Sequence, residues 1–213
     1  MLSVKIIKML LSAENVSRET LDKLKIYEAL LKKWQKTINI VSNSTIAHAW
    51  ERHIVDSAQL VGYIPDNVKL VYDIGSGGGF PGLVIAIMRP DLTVHCIESD
   101  ARKCSFLRAV VRETGIDAHI HAERIESAAT HLPKPDLITA RALASLDKLI
   151  DLVGSWVLCD SGARMLLLKG RSAMEEVAAA KKQYSFNTQD VVSETNAEAR
   201  MLLLSDICHL NDR

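Results

Sequence analysis

Ten consecutive residues, Asp73-Ile74-Gly75-Ser76-Gly77-Gly78-Gly79-Phe80-Pro81-Gly82, form the segment of this chain best suited to chemistry. They follow a β-prone run, Lys69-Leu70-Val71-Tyr72, and precede a helix whose first turn suits Pro81, with its fixed φ and missing N–H. Glycines let a backbone turn sharply and approach a ligand where any Cβ would collide. A strand, a glycine turn and a helix start in that order make a cradle for a nucleotide-like ligand. Glu98 closes the next strand-like run, 23 residues after Gly75. That is close to the offset of about 20 at which a carboxylate meets ribose hydroxyls in nucleotide-binding α/β folds.

Two ligand classes compete for the loop. Gly77, Gly79 and Gly82 satisfy the dinucleotide fingerprint G-x-G-x-x-G. Asp73, Gly75, Gly77 and Gly79 form acidic-x-Gly-x-Gly-x-Gly, the pattern of S-adenosylmethionine (SAM) methyltransferases, and charge favours this second match. A dinucleotide brings a pyrophosphate that wants bare N–H groups, whereas SAM brings an ammonium and a sulfonium that tolerate a carboxylate. Glu98 does not separate the two, because both present an adenosine ribose.

Four cations fall at strand ends: Arg124, Arg141, Lys169 and Arg171. The carboxyl ends of parallel strands face the ligand crevice, so these four are expected to ring the same mouth, where they would attract a phosphate backbone. Unrelated loop cations are the alternative. Arg141 stands out because Ile138-Thr139-Ala140 and Ala142-Leu143-Ala144 surround it with apolar residues, where an unpaired cation is costly. His53 and Asp56 are three apart and share a helix face, which predicts a polar cluster packed against the glycine loop in preference to a relay with Ser57. His119 and His121 share a strand face and read as surface residues.

The elements that must hold these groups change period near residue 68. Before it, Leu21, Leu24, Tyr27, Leu31 and Trp34 recur at helical spacing behind a capping Ser17, and a second helix is expected from about Ile46 to Val61. After it, strands at Lys69–Ile74, Thr93–Glu98, Ala118–Ala122, Leu137–Ala140 and Arg164–Leu168 alternate with helices. This predicts an α/β fold with a parallel sheet covered on both faces. Asp190–Glu194 and Met201–Leu210 are strand-like runs joined by so short a link that only an antiparallel pair is possible. The expected organisation is a helical extension over residues 1–66 and a ligand-binding core over 67–213.

Composition narrows the partners. The 213 residues carry 26 Lys+Arg against 26 Asp+Glu and 48% apolar side chains, which excludes disorder, collagen and coiled coil. Zero net charge also counts against a general polyanion binder. Through residue 36 the chain nets +4 from eight basic and four acidic residues, so the remainder nets −4. A solvated helix face explains that excess as well as contact with RNA does. Cys96, Cys104, Cys159 and Cys208 are spaced as reduced thiols, with no disulfide frame or zinc site. Met1–Leu11 is too short to span a bilayer and reads as an amphipathic helix, so the chain is expected to be cytoplasmic.

Several blocks together closely resemble the RsmG (GidB) family, which methylates N7 of a guanine in 16S ribosomal RNA of the small subunit. They are Lys33-Trp34-Gln35-Lys36-Thr37-Ile38-Asn39-Ile40-Val41-Ser42, Arg52-His53-Ile54-Val55-Asp56-Ser57, the glycine loop with Phe80-Pro81-Gly82, Arg141-Ala142-Leu143-Ala144-Ser145-Leu146, and Leu168-Lys169-Gly170. The resemblance implies a seven-stranded Rossmann-like SAM-dependent methyltransferase sheet with an N-terminal helical extension and a C-terminal antiparallel hairpin. It implies SAM against Gly75 and Phe80 in the loop of Asp73, Gly77 and Gly79, with Ile125 and Glu126 beside the adenine and Arg141 at the donor pocket. Arg141 and Lys169 are expected to position substrate or donor, with no general base, no metal and no obligate protein partner. This chain departs from the family pattern at Ile40 and Val41, where a Leu or Thr is usual, and at Gly78, often a Pro.

Overall fold

The computed structural model describes residues 16–158 and 161–212; the apolar run at residues 1–11 and Cys159 lie outside them. The alternating runs build one seven-stranded sheet in the order β3-β2-β1-β4-β5-β7-β6. The strands are β1 (Leu70–Ile74), β2 (Thr93–Glu98), β3 (Ala118–Ala122), β4 (Leu137–Arg141), β5 (Arg164–Lys169), β6 (Tyr184–Val192) and β7 (Arg200–His209). The first five are parallel; β7 lies antiparallel to β5, and β6 antiparallel to β7. The expected closing hairpin is therefore present.

The central strands are apolar on both sides because both sides are covered, and successive residues enter opposite cores. Val71, Leu137 and Leu166 face α1 (Arg18–Trp34), α3 (Gly82–Met88) and α4 (Ala101–Thr114). Tyr72, Ile138 and Leu167 face α5 (Ile125–Ala128), α6 (Leu146–Val157) and α7 (Ala173–Ala180). Ser17 caps α1 as expected, accepting from the Thr20 N–H at 3.0 Å. The buried face of α1, carried by Leu21, Leu24, Tyr27 and Leu31, joins the same core as the sheet.

Two expectations need correction. The helix expected over Ile46–Val61 is a compound segment of a 3₁₀ turn at Asn43–His48, a π-helical turn at Trp50–Val55, one α-turn, α2 (Asp56–Ala58), and a second 3₁₀ turn at Gln59–Tyr63. Widened π turns recur at functional sites. Here the Arg52 carbonyl accepts from the Arg141 guanidinium at 3.2 Å. β6 starts at Tyr184, well before the expected Asp190, and stops at Val192. It is an edge strand whose first half buries Tyr184 and Phe186 while Asn187 stays exposed, so its apolar signal is diluted.

One carboxylate fixes the entry to the sheet. Asp136, just ahead of β4, accepts from the backbone N–H groups of Lys69 and Leu70 at 2.7 and 2.8 Å, setting the register where β1 begins. Asp136→Ala strands two donors at the start of the central strand. The expected loss is about 1–2 kcal/mol, since one donor is exposed and water can take it. Thermal unfolding should show a midpoint lower by roughly 3–6 °C.

Candidate functional site

The glycine loop crosses the carboxyl end of β1 with Gly75, Gly77 and Gly79 all at positive φ, at 59°, 56° and 83°. A Cβ on Gly79 would lie 2.6 Å from the Tyr27 hydroxyl and under 3 Å from Leu83 and Leu107, so the loop packs too closely on α1 and α3 for any side chain. A Cβ on Gly77 meets only the Gly75 carbonyl oxygen, at 3.8 Å, so that position is left open on the cavity side.

Bonds from three directions hold the loop. The Gly77 N–H donates to Glu98 Oε2 at 2.8 Å, and the Asp100 N–H donates to Glu98 Oε1 at 2.8 Å. A carboxylate has about four lone-pair sites, so Glu98 keeps acceptor capacity for hydroxyl groups of a ligand. Tyr27 donates a short bond to the Gly78 carbonyl, and its ring stacks on Phe80 at 5.0 Å between centroids. The Phe80 ring also meets His53 at 5.1 Å and the Arg141 guanidinium at 5.0 Å. Beneath the loop, Asp73 is wholly buried, with Oδ1 accepting from Thr139 at 2.9 Å and Oδ2 without a hydrogen-bond partner. Burial pushes its pKa up from 3.8 to about 6, against the opposing hydrogen bonds from Thr139 and Ser76.

Arg141 leaves the end of β4 and meets the compound segment. Its guanidinium donates to Asp56 Oδ2 at 3.3 Å and to His53 Nδ1 at 3.0 Å. Burial lowers the Arg141 pKa, and Asp56 opposes that shift. Burial, with the charges of Arg141 and Arg52, lowers the His53 pKa to about 4. An arginine only donates, so Nδ1 of the neutral imidazole is its acceptor and Nε2 carries the proton, given to Thr45 Oγ1 at 2.8 Å. Thr45 in turn donates to the Ser42 carbonyl at 2.7 Å. Asp56 Oδ1 accepts from Thr195 in the β6–β7 link, and Gln59 bonds Asp56 and Ser193 at 3.0 Å each.

These groups surround a cavity of about 640 Å³. Of the ten expected site residues, Gly75, Gly77, Phe80, Glu98, Ile125, Glu126 and Arg141 line it. Asp73 and Gly79 do not; they shape the loop from below. Lys169 is absent from the wall as well: it is buried, with Nζ on the Ala144 carbonyl at 2.5 Å and on Glu176 Oε2 at 2.7 Å. The expected ring of four cations is therefore corrected to two, Arg124 and Arg141, because Arg171 is exposed and paired with Glu198 at 2.7 Å. Lys103 and Arg52 join the lining instead. His53 packs directly on the loop through the Phe80 ring, and Asp56 is joined to His53 through Arg141. His121 is only partly exposed and bonds His95 at 3.0 Å, which corrects its reading as a surface residue; His119 is exposed.

Several working groups carry no local sequence signal. Tyr27 has the spacing of a core residue. Gln35 fixes the Asn39–Asn43 turn through Val41 O at 2.8 Å and the N–H groups of Ile40 and Val41 at 3.0 and 3.1 Å, placing Ile40, Val41 and Ser42 on the cavity wall. Thr195, Asn196 and Ala199 reach the wall from a polar link that carries no motif.

A glycine-turn cavity at the carboxyl end of a sheet closed by an antiparallel strand defines a methyltransferase fold. Solved structures agree: a ribosomal protein L11 methylase from Lactobacillus delbrueckii (TM-score 0.57, 15% identity, 73% of this chain and 78% of that one) and a methyltransferase from Geobacter sulfurreducens (TM-score 0.56, 14% identity, 87% and 88%) share it. The family model GidB, described as rRNA small subunit methyltransferase G, matches residues 20–203. Proteins named ribosomal RNA small subunit methyltransferase G from Parvibaculum lavamentivorans and Rhodospirillum centenum are 46% and 45% identical, over 88% and 92% of this chain and 84% and 88% of theirs. The chain belongs to the GidB family of rRNA methyltransferases.

Asp73 gives a test of the site's electrostatics. Its folded pKa of about 6 lies above the 3.8 of an exposed carboxyl, so the folded state keeps the proton to higher pH than the unfolded chain does. The buried charge then costs up to about 3 kcal/mol above pH 6, and the cost fades as pH falls toward 3.8. Asp73→Asn should raise the unfolding midpoint at pH 8 and lose most of that advantage by pH 4. An equal gain at both pH values would contradict the assignment.

Proposed function

We propose that this chain transfers a methyl group from SAM to N7 of a guanine in 16S ribosomal RNA, acting on small-subunit RNA in the cytoplasm as a monomer. On this reading residues 1–66 are a helical extension and 67–213 the SAM-binding core. No described helix is long and apolar enough to cross a membrane. A cavity of about 640 Å³ is in the range of sites for ligands the size of a nucleoside joined to an amino acid. Glu98 has lone pairs for the ribose, Ile125 and Glu126 stand at the adenine end, and Gly77 keeps a side chain out of the donor's path. Bound there, SAM supplies a methyl carbon activated by a sulfonium.

One observation carries the choice of acceptor atom: the titratable groups lining the opposite end are already committed. The His53 Nδ1 lone pair faces Arg141 and its Nε2–H faces Thr45, while Asp56 serves Arg141 and Thr195. His53 thus has no free ring nitrogen, and both Asp56 oxygens already accept hydrogen bonds, from Arg141, Thr195 and Gln59. Guanine N7 presents a lone pair and releases no proton before attack, so it needs no general base. Methylation of an exocyclic amine would need one. The work left to the chain is orientation, a contribution of up to about 7–11 kcal/mol. Since N7 is out of reach in the deep major groove of helical RNA, the acceptor enters unpaired or flipped.

Deleting the gene and mapping N7-methylguanine along 16S RNA tests the proposal: one site should lose its mark and regain it on complementation. An unchanged map overturns it. Arg141→Lys keeps the charge but cannot serve Asp56, His53 and the Arg52 carbonyl together. It should lower kcat/KM for methyl transfer to small subunits at least about tenfold. The neutral chain should also show a shallow salt dependence, with log K against log salt flatter than about −4.

A further inference from the structure

The turn after β4 holds a residue where energetics alone would not put it. Ala142 has φ +52°, in the left-handed region that a non-glycine residue seldom occupies and only under strain. The next residue, Leu143, is a large apolar side chain left 38% exposed, on the cavity wall. Both sides of the turn are fastened: Arg141 by Asp56, His53 and the Arg52 carbonyl, and the Ala144 carbonyl by Lys169 at 2.5 Å. Glu176, which holds Lys169, also accepts from the Leu146 N–H at 3.0 Å, pinning the start of α6. Strain that persists because its surroundings enforce it is the mark of a positioned group.

Where Leu143 stands limits what it can meet. Its side chain lies against Gly75, so that a Cβ there would be 2.6 Å from Leu143 Cδ1. It comes from the end of β4, whereas Glu98 and Ile125, which mark the adenosine end, come from β2 and the segment after β3. The cavity wall thus includes Leu143, beside the donor loop, together with Asn196 and Ala199 from the β6–β7 link.

We propose that Leu143 is the apolar shelf on which the flipped acceptor purine packs, so that its ring plane is fixed beside the donor loop. An unstacked base exposes two apolar faces to water, and covering one on a fixed side chain recovers part of the stacking lost on flipping. This inference rests on the proposed reaction and names the acceptor subsite within it.

The test compares wild type, Leu143→Ala and Leu143→Met in methyl transfer to small ribosomal subunits, with S-adenosylhomocysteine affinity measured by calorimetry and folding checked by thermal unfolding. Leu143→Ala should bind S-adenosylhomocysteine within about threefold of wild type and lose about tenfold in kcat/KM for the subunit. Leu143→Met, apolar and of similar volume, should restore most of the loss. If Leu143→Ala loses nucleoside affinity in step with kcat/KM, the side chain merely props Gly75 and the inference fails. Full activity of Leu143→Ala sinks it too, with the reaction itself intact. A wild-type protein that transfers no methyl group to subunit RNA removes the reaction and the shelf together.

Discussion

The contact between the Arg141 guanidinium and the Asp56 carboxylate joins the three stretches of chain that enclose the cavity. Arg141 ends a central strand, Asp56 belongs to the helical segment before the sheet, and Thr195, bonded to Asp56, belongs to the hairpin link near the other end of the chain. A largely buried ion pair adds little net stability when both partners are present, but removing either leaves an uncompensated charge. Its effect here is to impose geometry: the cavity closes only when strand end, helical segment and hairpin link are all in place. The same guanidinium sets the His53 tautomer and lies 5.0 Å from the Phe80 ring, so the shape of the donor loop and the protonation of the wall follow from one interaction.

Charge elsewhere follows a similar economy. The chain is neutral overall, and its cavity carries Arg52, Lys103 and Arg124 alongside Glu98, Glu123 and Glu126. A mixed wall of this kind cannot attract nucleic acid indiscriminately, since non-specific affinity grows with the number of phosphates neutralised. Selection must come from the shape of the RNA presented to the cavity. That suits the proposed action on a single guanine of small-subunit RNA.

Much of the architecture could be read from residue patterns because it depends on local signals. β1, β4 and β5 are largely apolar runs buried on both faces, and Ser17 caps its helix from its own turn. The parts that escaped depend on distant partners. Nothing local marks Trp50–Val55 as a π turn, because the Arg52 carbonyl finds its donor 89 residues away. Lys169 sits at a strand end, which suggested the ligand mouth, but position along a strand does not say which way a side chain leaves; Ala144 and Glu176 claim it. Tyr27 has the spacing of a core residue and is one, yet its hydroxyl holds the glycine loop.

The bonds from Gly77 and Asp100 to Glu98 show how the glycine-loop side of the cavity is built. A glycine-rich loop has the most conformational freedom to lose on binding, yet this one is already held by a carboxylate, a tyrosine and a strand carbonyl, the last through Ser76 N–H at 3.2 Å from the Ile97 oxygen. Its ordering entropy was spent when the protein folded. Donor capture is thereby close to a rigid-body event that leaves the loop as it was. On the proposed reaction the conformational work of turnover falls on the RNA, which must unstack a base, and substrate discrimination resides in how readily a given RNA does so.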